Sequence, residues 1–497
     1  MDPKHFDVLI VGAGLSGIGA GYHLQTKCPG KSYAILESRD RLGGTWDLFK
    51  YPGIRSDSDM YTLGFSFRPW TSPKAIADGP SILKYLEDTA AEYGIDRKMR
   101  FGHKVVSAEW SSGDARWTLD VETDAGLQKF SCNFLFTCAG YYKYEAGYTP
   151  DFEGADDFEG EIVHPQQWTE DIAYEGKRVV VIGSGATAMT LVPELAKDAA
   201  NVTMLQRSPT YVVSAPQEDP LANWLRGRIP EMPAYMITRW KNVMLSIFFY
   251  QYARRFPAHA KKGMVGLAQK ALGEEFDVSH FTPSYDPWDQ RVCLVPDSDL
   301  FRAIKAGDVD VVTDHIEKFT KTGIQLRSGA HLDADLIVTA TGLQLQFLGG
   351  MALTVDGESI TPSTKMAYKG MMVSDVPNLA LAIGYTNASW TLKCDLTCEY
   401  VCRLLQHMDK TGTQICVPRR DPSVEEEPLI DFSSSYVQRA IAAFPRQGSK
   451  APWKVYQNYV LDLLTLRRGR LEDGILEFSR ATGRTVRATQ PVQSELN

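Results

Sequence analysis

Two glycine-rich turns have the spacing with which proteins bind the pyrophosphate of a dinucleotide. The first turn follows an apolar run that ends at Val11, it opens a helical stretch, and its spaced glycines are Gly12, Gly14 and Gly17. Glycines at these positions let the backbone turn sharply and approach a pyrophosphate. The amides and the dipole of the helix N-terminus then stabilise the charge of that group.

A carboxylate strengthens the signal of the first turn, which is weak by itself. The next predicted strand, Tyr33 to Leu36, ends in Glu37, which is 20 residues after the third glycine. A carboxylate at this place accepts hydrogen bonds from the ribose hydroxyls of an adenosine and repels a 2′-phosphate. The first turn therefore predicts a site for FAD or NAD rather than for NADP.

The second turn differs at the equivalent position. A β run from Arg178 to Ile182 opens into a G-x-G-x-x-A pattern formed by Gly183, Gly185 and Ala188. Its next strand ends, in place of an acid, in Gln206, Arg207 and Ser208. A planar guanidinium suits a 2′-phosphate, so we predict NADPH at the second turn. The alternative is that Arg207 is an ordinary surface charge.

The segment between the two turns carries a further spaced pattern. Across residues 158–168 it reads F-x-G-x-x-x-H-x-x-x-W, with the specified positions Phe158, Gly160, His164 and Trp168. Because it lies between two nucleotide motifs, this segment must join the two sites and is a candidate hinge. The alternative is a linker in which His164 and Trp168 only pack.

This pattern resembles the fingerprint of the type I Baeyer-Villiger monooxygenases, flavoenzymes that insert an oxygen atom next to a carbonyl. The resemblance implies FAD at the first turn, NADPH at the second, and molecular oxygen and a small ketone or sulfide as substrates. In that family NADPH reduces FAD, oxygen adds to the reduced flavin, and the C4a-peroxyflavin converts a ketone to an ester or lactone. Oxidation of sulfides and thioamides is expected as a side activity.

Further segments match the same family along nearly the whole chain. The G-G-T-W segment that runs along FAD in flavin monooxygenases is matched by Gly44, Thr45 and Trp46. Within the family, the chain most resembles the mycobacterial group known for activating thioamide prodrugs. That similarity rests on the segments Y-P-G-I-R-S-D-S-D-M-Y, P-W-D-Q-R and N-A-S-W-T-L.

The resemblance assigns the chemistry to two charged residues. Asp57 corresponds to an aspartate near the flavin ring, and Arg291 corresponds to the arginine that keeps the peroxyflavin negative. A permanent cation that does not donate its proton suits that role, with a carboxylate to orient it. One alternative is a solvated turn in which Asp57 and Asp59 are caps, and the other places Arg291 in a surface ion pair with Asp289. Many relatives have a lysine before this arginine, whereas this chain has Gln290, so discrimination against NADH is weaker in this interpretation.

A later segment is predicted to reach the substrate. The run after Gly384 places a strand end and a helix start against the ring end of the flavin, where backbone amides reach its carbonyls. We predict substrate contacts from Asn387, Ser389 and Trp390.

Composition argues against several classes of protein. The 497 residues carry a formal charge of -8 with a pI near 5.7, which argues against a nucleic-acid binder. The eight scattered cysteines match neither a disulfide framework nor a metal-ligand set, so we expect reduced thiols and no metal. No apolar run reaches the roughly 18 residues of a membrane span. We therefore expect a cytoplasmic protein without an obligate protein partner.

The patterns predict an α/β fold with two Rossmann-like dinucleotide-binding domains, for FAD and NADP, and a helical insertion. The alternation between about residues 103 and 135 predicts a small antiparallel sheet packed on the first domain. The predicted divisions are the FAD-binding domain at 1–145 and 346–497, the linker and NADP-binding domain at 146–215 and 286–345, and the insertion at 216–285.

The insertion is aromatic and basic. We favour a helical subdomain packed over the substrate entrance, and a weak membrane-surface contact is the alternative, because basic residues flank its apolar centre.

Three other functions are weighed against a Baeyer-Villiger reaction. A flavin-containing N- or S-monooxygenase acting on soft nucleophiles resembles this pattern but ends it in tyrosine, so Trp168 and Arg291 argue against it. A pyridine-nucleotide disulfide reductase would need a cysteine pair near a glycine turn, and the sequence has none. A nucleotide-sensing protein without turnover would not need Asp57 and Arg291 together.

Overall fold

The computed structural model describes residues 3–290, 292–430 and 432–481. Residues 3–145 form the elements β1 (Lys4–Val11), α1 (Leu15–Lys27), β2 (Tyr33–Leu36), α2 (Thr45–Leu48), α3 (Met60–Leu63), α4 (Gly79–Glu92), β3 (Met99–Arg100), β4 (Lys104–Ser111), β5 (Arg116–Thr123) and β6 (Gly126–Thr137). Residues 146–215 form β7 (Glu161–Val163), β8 (Arg178–Ile182), α5 (Ala186–Leu195), β9 (Asn201–Gln206) and β10 (Tyr211–Ala215).

The second half of the chain alternates between helices and short strands. Residues 216–345 contain α6 (Pro220–Leu225), α7 (Glu231–Arg255), α8 (Pro257–Leu272), β11 (Val292–Pro296), α9 (Asp299–Ala306), β12 (Val309–Thr313), β13 (Ile316–Thr320), β14 (Gly323–Leu326), β15 (His331–Asp333) and β16 (Leu336–Thr339). Residues 346–481 contain β17 (Ala352–Val355), β18 (Glu358–Ser359), β19 (Ala367–Tyr368), β20 (Met372–Val373), β21 (Leu379–Leu381), α10 (Trp390–Thr411), β22 (Ile415–Pro418), β23 (Glu426–Pro428), α11 (Ser435–Ala440), β24 (Arg446–Gly448), α12 (Tyr459–Arg468) and β25 (Leu476–Ser479).

The first sheet is built around β1, which pairs in parallel with β2 and with β6. Its strand order is β18-β17-β4-β5-β6-β1-β2-β3, and β21 pairs in parallel with the last residues of β6. Strand β2 is buried along its whole length, as expected for a parallel strand covered on both faces. The sheet thus combines strands from both ends of the described chain.

The antiparallel strands β4, β5 and β6 continue this same sheet. The sequence predicted a separate small sheet here, and that prediction was wrong. The physical reason is the length of β6, which has 12 residues and carries β5 on one edge and β1 on the other. One continuous set of backbone hydrogen bonds therefore crosses from the antiparallel strands into the parallel ones.

The second sheet has five parallel strands in the order β12-β9-β8-β16-β7. Strand β8 lies at its centre, and the segment predicted as a hinge contributes its edge strand β7, which pairs with β16. The α/β class with two Rossmann-like sheets is confirmed.

Two connectors join the sheets, residues 138–150 on the outward path and residues 340–346 on the return. We call them the paired connectors because they run antiparallel and exchange backbone hydrogen bonds. The amide of Lys143 donates to the Gln344 carbonyl at 2.9 Å, and the amide of Gln346 donates to the Tyr141 carbonyl at 2.8 Å.

The helical insertion packs on both halves of the molecule. On one side, the buried guanidinium of Arg239 in α7 donates from Nη1 to the carbonyls of Tyr61 at 2.7 Å and Gly64 at 2.8 Å, and it lies 3.6 Å from the carboxylate of Asp395. On the other side, α8 contributes Ala268 and other apolar residues to the core around the second sheet. Within the described ranges, none of the helices combines the length and apolarity needed to cross a membrane.

The eight cysteines all lie in the described ranges and are buried free thiols. Burial raises the pKa of Cys394 and of Cys416 to about 12, so both thiols stay protonated. They pack as small apolar side chains.

Candidate functional site

One continuous cavity of about 430 Å³ runs between the two sheets. It begins at Glu37 and the first glycine turn, passes Asp57, and reaches Thr187 in the first turn of α5. Its wall includes four of the expected groups, namely the first glycine turn, the Gly44 to Trp46 segment, the loop around Asp57, and Trp390. The cavity therefore joins residues that are far apart in the sequence.

The first glycine turn is shaped by close backbone contacts. Gly12 has a φ of +104°, and a Cβ added there would lie 2.6 Å from the carbonyl oxygen of Cys138. A Cβ at Gly17 would lie 1.9 Å from the carbonyl oxygen of Gly12, so a side chain would push α1 away from the turn. Gly14 caps α1 without any side-chain hydrogen bond, which leaves the helix amides open toward the cavity.

Glu37 holds this turn from the end of β2. Its side chain is buried, its Oε2 accepts a hydrogen bond from the amide of Ala13 at 2.7 Å, and its Oε1 accepts one from the amide of Arg39 at 3.0 Å. A carboxylate has about four lone-pair positions, so capacity remains for the hydroxyls of a ribose. The residue lines the cavity, and the donor set around it fits the adenosine end of a dinucleotide.

The Gly44, Thr45 and Trp46 segment covers the first turn. Gly44 has a φ of +57°, and a Cβ added there would lie 3.1 Å from the Cα of Gly14. The nearby Tyr144 also lines the cavity, and burial raises the pKa of its phenol to about 12. The first site is therefore enclosed by backbone on one side and by a protonated phenol on another.

The loop that carries Asp57 separates its two acidic residues by role. Asp59 is the N-cap of α3, because its Oδ1 accepts from the amide of Thr62 at 3.1 Å. Asp57 lies on the cavity wall. Between the loop and the second sheet, Arg55 forms an ion pair with Asp299 at the start of α9. The cap role weighed for both carboxylates thus applies to Asp59.

The second glycine turn follows the same backbone path with more open space. Gly183 has a φ of +141°, and a Cβ added there would lie 2.4 Å from the carbonyl oxygen of Ala340. Among the described residues, no atom of another segment lies within 4 Å of a Cβ added at Gly185. Ala188, in the first turn of α5, is buried. The cavity wall formed by the described residues does not include Gly183, Gly185 or Ala188.

Arg207 and Ser208 lie at the end of β9 beside this turn. Both are exposed, and the carbonyl of Ser208 accepts a hydrogen bond from the hydroxyl of Ser184 at 3.0 Å. The preceding Gln206 is buried, and its amide nitrogen donates to the His280 carbonyl at 2.7 Å. Arg207 is therefore an exposed cation at this strand end.

The fingerprint residues support the paired connectors. His164 donates from Nε2 to the carbonyl of Gly342 at 3.0 Å and accepts at Nδ1 from the amide of Gln166 at 3.1 Å, so its neutral form has the proton on Nε2. Burial lowers the pKa of His164, and the bond to Gly342 opposes that shift only in part. Gln166, which the sequence did not single out, donates to the carbonyls of Lys143 and Tyr144, both at 2.9 Å.

The apolar fingerprint residues fix the edge strand β7. Phe158 and Trp168 are both buried. Gly160 contacts the ring of Phe158 so closely that an added Cβ would lie 2.5 Å from it. The fingerprint therefore acts by packing and by holding the connectors, and its residues are not part of the cavity wall defined by the described residues.

The three predicted substrate residues separate in the structure. Trp390 lines the cavity, its Nε1 donates to the hydroxyl of Ser16 at 2.9 Å, and its ring lies 4.9 Å from that of Tyr141. Asn387 donates instead to the carbonyl of Gln457 at 2.9 Å, and the hydroxyl of Ser389 lies 2.6 Å from that of Thr62. Of the three, only Trp390 is in a position to contact a ligand in this cavity.

A buried polar group on the cavity wall was missed by the sequence analysis. Asp462 accepts at Oδ2 from the phenol of Tyr385 at 2.7 Å and from Nζ of Lys393 at 2.8 Å. Tyr385 and Lys393 both line the cavity. Because these residues come from three separate segments, no local pattern in the sequence could have indicated the group.

Arg291 lies outside the described residues, so its predicted position is not tested. The residues after it in β11 are described, and Cys293 and Leu294 line the cavity. Before it, Gln290 is half-buried, and Asp289 forms an ion pair with Arg254 at 2.6 Å.

Two Rossmann-like sheets, paired connectors and a shared cavity define a class of α/β protein that binds two dinucleotides. The family described as flavin-binding monooxygenase-like matches residues 73–384, and the NAD(P)-binding Rossmann-like domain matches residues 10–73. The chain belongs to the flavin-binding monooxygenase-like family.

Individual relatives extend this result over nearly the whole chain. The FAD-containing monooxygenase EthA of Mycobacterium tuberculosis is 56% identical over 480 residues, which cover 96% of this chain and 98% of that protein. The probable FAD-binding monooxygenase AlmA of Acinetobacter baylyi is 48% identical over 493 residues, covering 98% of this chain and 99% of that protein. The predicted similarity to the mycobacterial group is confirmed.

Solved structures support the fold. An oxidized steroid monooxygenase bound to NADP has a TM-score of 0.76 at 22% identity, covering 96% of this chain and 100% of that one. An open structure of cyclohexanone monooxygenase has a TM-score of 0.74 at 20% identity, with coverage of 96% and 100%. The chain thus has the fold of these enzymes.

Proposed function

We propose that the protein is a Baeyer-Villiger monooxygenase that uses FAD, NADPH and molecular oxygen to convert ketones to esters or lactones, with sulfide and thioamide oxidation as a side activity. The observation that carries the proposal is the single cavity that extends from Glu37 past Asp57 to Thr187. Such a cavity lets two nucleotides meet in one space. A reaction in which one cofactor reduces the other requires this.

The chain is an NADPH-dependent flavin monooxygenase, and its two turns fit FAD and NADPH in different ways. We assign FAD to the first site, with the pyrophosphate at the turn and the ribose at Glu37, and its residues are Gly12, Gly14, Gly17, Glu37, Gly44, Thr45, Trp46 and Asp57. We assign NADPH to the second site, with residues Gly183, Gly185, Ala188, Arg207 and Ser208. The domain divisions at residues 145, 215, 285 and 345 follow this assignment, and they and the cytoplasmic location stay predictions.

When bound, the flavin supplies the redox chemistry that activates oxygen. The residues of the chain provide the electrostatic environment. We propose that Asp57 on the cavity wall orients Arg291, and that the guanidinium holds negative charge at the reacting oxygen without donating a proton to it. In this proposal the cavity keeps water away from that charge.

The reaction is tested by the products. The purified protein should show a flavin spectrum, and a panel of linear, cyclic and aryl ketones should increase NADPH oxidation and give esters or lactones by chromatography. Oxidation of sulfides, amines or thioamides without any ester would favour the alternative, a flavin-containing N- or S-monooxygenase acting on soft nucleophiles.

The assignment of Arg291 has its own test. In Arg291→Ala, NADPH should still reduce the flavin, while ester formation should fall by at least about 100-fold, the scale seen when one preorganised charge-stabilising group is removed. Asp289→Asn is the matched control, because Asp289 pairs with Arg254 in the structure. If ester formation in Arg291→Ala persisted near the unmutated rate, the arginine would be misassigned.

A further inference from the structure

Helix α7 has one buried face and one exposed apolar face. One face is buried against the first half of the molecule through Tyr235, Arg239 and Val243. The opposite face is exposed, and its large side chains are Ile237, Trp240, Met244, Leu245, Phe248, Phe249 and Tyr252, with Phe256 following the helix. A surface helix normally presents polar residues to water, so this exposed apolar face needs a different explanation.

The exposed face is long and without charge. Between Ile237 and Ala253, the exposed residues of α7 are all large and apolar except Gln251. The one charged residue on that arc, Lys241, is half-buried and pairs with Asp219 at 2.5 Å. From Ile237 to Arg255 the face extends over about 27 Å at the rise of an α-helix.

Helix α12 extends this surface. The rings of Trp240 and Tyr459 lie 5.8 Å apart, which brings the first turn of α12 beside α7. Leu461 and Leu464 are exposed on α12, and Tyr456 is exposed just before it. We call the combined surface of these residues and the exposed face of α7 the α7–α12 face.

Basic residues occur at the ends of the α7–α12 face. Arg255 follows the exposed stripe at the C-terminal end of α7, and its guanidinium lies 6.0 Å from the ring of Phe256. Arg468 follows Leu461 and Leu464 at helical spacing, at the C-terminal end of α12. These cations stand out because the whole chain carries a formal charge of -8. An apolar helical face with cations at its ends suits the surface of an anionic bilayer.

The α7–α12 face adjoins the end of the cavity. Gln457 lines the cavity and directly follows the exposed Tyr456. On the inner side of α12, Asp462 binds the cavity residues Tyr385 and Lys393. A molecule dissolved in lipid at this face would therefore be one layer of side chains from the cavity.

We propose that the α7–α12 face lies in the interface of an anionic lipid bilayer, with its aromatic and aliphatic side chains at the boundary between headgroups and acyl chains. The helix lies along the membrane surface, and apolar substrates pass from the lipid toward the cavity. The docking itself does not depend on the proposed reaction, so it stands or fails separately. A second copy of the chain or another protein on this face is the competing arrangement.

Flotation with lipid vesicles tests the proposal. The full chain with bound flavin is mixed with vesicles of phosphatidylcholine alone, or with about 30 mol% phosphatidylglycerol. We expect binding to the anionic vesicles, with a blue shift of tryptophan fluorescence as Trp240 leaves water. Phe248→Asp should weaken the partition about tenfold, and Arg255→Gln should weaken binding to anionic vesicles about fivefold.

Leu127→Asp is the matched control, because Leu127 and Phe248 are both 63% exposed and Leu127 belongs to a different element, at the start of β6. It should bind vesicles like the unchanged protein. No binding of the unchanged protein to either vesicle, or equal binding by Phe248→Asp, would overturn the proposal. Self-association in sedimentation that Phe248→Asp abolishes, without any vesicle binding, would assign the face to a second copy instead.

Discussion

The two glycine turns follow one backbone plan but differ in how closely the protein surrounds them. Gly12 and Gly183 match in two respects. Each has a positive φ, and a Cβ added at either glycine would lie within 2.6 Å of a carbonyl oxygen. The third positions differ. Gly17 has no room for a side chain, whereas the equivalent Ala188 already carries one. Helix α1 therefore approaches its turn more closely than α5 does.

The surroundings of the two turns also differ, because the protein covers the first turn more closely than the second. The backbone of Gly44 covers Gly14, with 3.5 Å between an added Cβ on Gly14 and the Cα of Gly44. At Gly185 there is open space, and the nearby Arg207 is exposed. We interpret the first site as one for a resident cofactor and the second as one for a coenzyme that arrives and leaves, which is how a flavin and a nicotinamide nucleotide are used.

The strongest effect on bound flavin is expected at the third position of the glycine turns, where Gly17 and Ala188 can each be replaced by the other residue type. In Gly17→Ala the new Cβ would lie 1.9 Å from the carbonyl oxygen of Gly12, so α1 must move. The amides at the N-terminus of α1 then no longer bind the pyrophosphate. We expect purified Gly17→Ala to lose most of its bound flavin, measured as the ratio of flavin to protein absorbance. The reverse change, Ala188→Gly, should keep the flavin and cost about 1 kcal/mol of stability.

The two variants test which turn holds the resident cofactor. If Gly17→Ala retained full flavin while Ala188→Gly lost it, the first turn would not hold the resident cofactor. A urea titration of both proteins separates loss of flavin from general unfolding, because a folded Gly17→Ala protein would still unfold cooperatively.

A smaller effect is expected at Arg207. A charge-assisted hydrogen bond to a 2′-phosphate contributes about 1.5–3 kcal/mol, so Arg207→Ala should raise the KM for NADPH about 10- to 150-fold. The KM for NADH should change little, because NADH has no phosphate for the guanidinium to bind. Flavin content should stay unchanged, since Arg207 is exposed beside the second site.

The exposed Arg302 provides the control for this change. Its Nη1 donates to the Asp297 carbonyl at 2.7 Å, and Arg302→Ala should leave both KM values as they are. An equal rise of KM for NADPH and NADH in Arg207→Ala would contradict a phosphate contact and leave Arg207 as a surface charge.

The fold was predictable where local patterns are strong. Each glycine turn follows an apolar strand and opens a helix, so the strands ending at Val11 and Ile182 were found from sequence. The extent of the first sheet was not, because the sequence does not show that β6 pairs with β1 as well as with β5. Strand pairing between distant segments depends on register and burial in the folded chain.

The site was predictable only where one segment carries the signal. The Gly44 to Trp46 segment and Asp57 reach the cavity wall as expected. Asn387 and Ser389 do not, because their side chains bond to Gln457 and Thr62 instead. Side-chain direction at a helix start depends on neighbours from other segments, which a single sequence does not place.

The smallest effect concerns the link between the two sites. His164 holds the returning connector through the Gly342 carbonyl, and burial lowers its pKa below the ordinary value of 6.5. The unfolded chain therefore binds this proton more readily than the folded chain does, so stability falls as the pH falls below about 6.5. We compare the decrease in the midpoint of thermal unfolding between neutral and acidic pH. This decrease should be about 1–3 °C larger in the unchanged protein than in His164→Gln.

The exposed His259 in α8 gives the comparison for that experiment, since His259→Gln should keep the acid sensitivity of the unchanged protein. The returning connector, residues 340–346, also joins the two sheets that carry the glycine turns. For that reason His164→Gln should slow flavin reduction by NADPH at neutral pH while both cofactors still bind. If reduction and acid sensitivity both stayed unchanged, the two sites would keep their spacing without this histidine, and the packing of Phe158 and Trp168 would be sufficient to hold it.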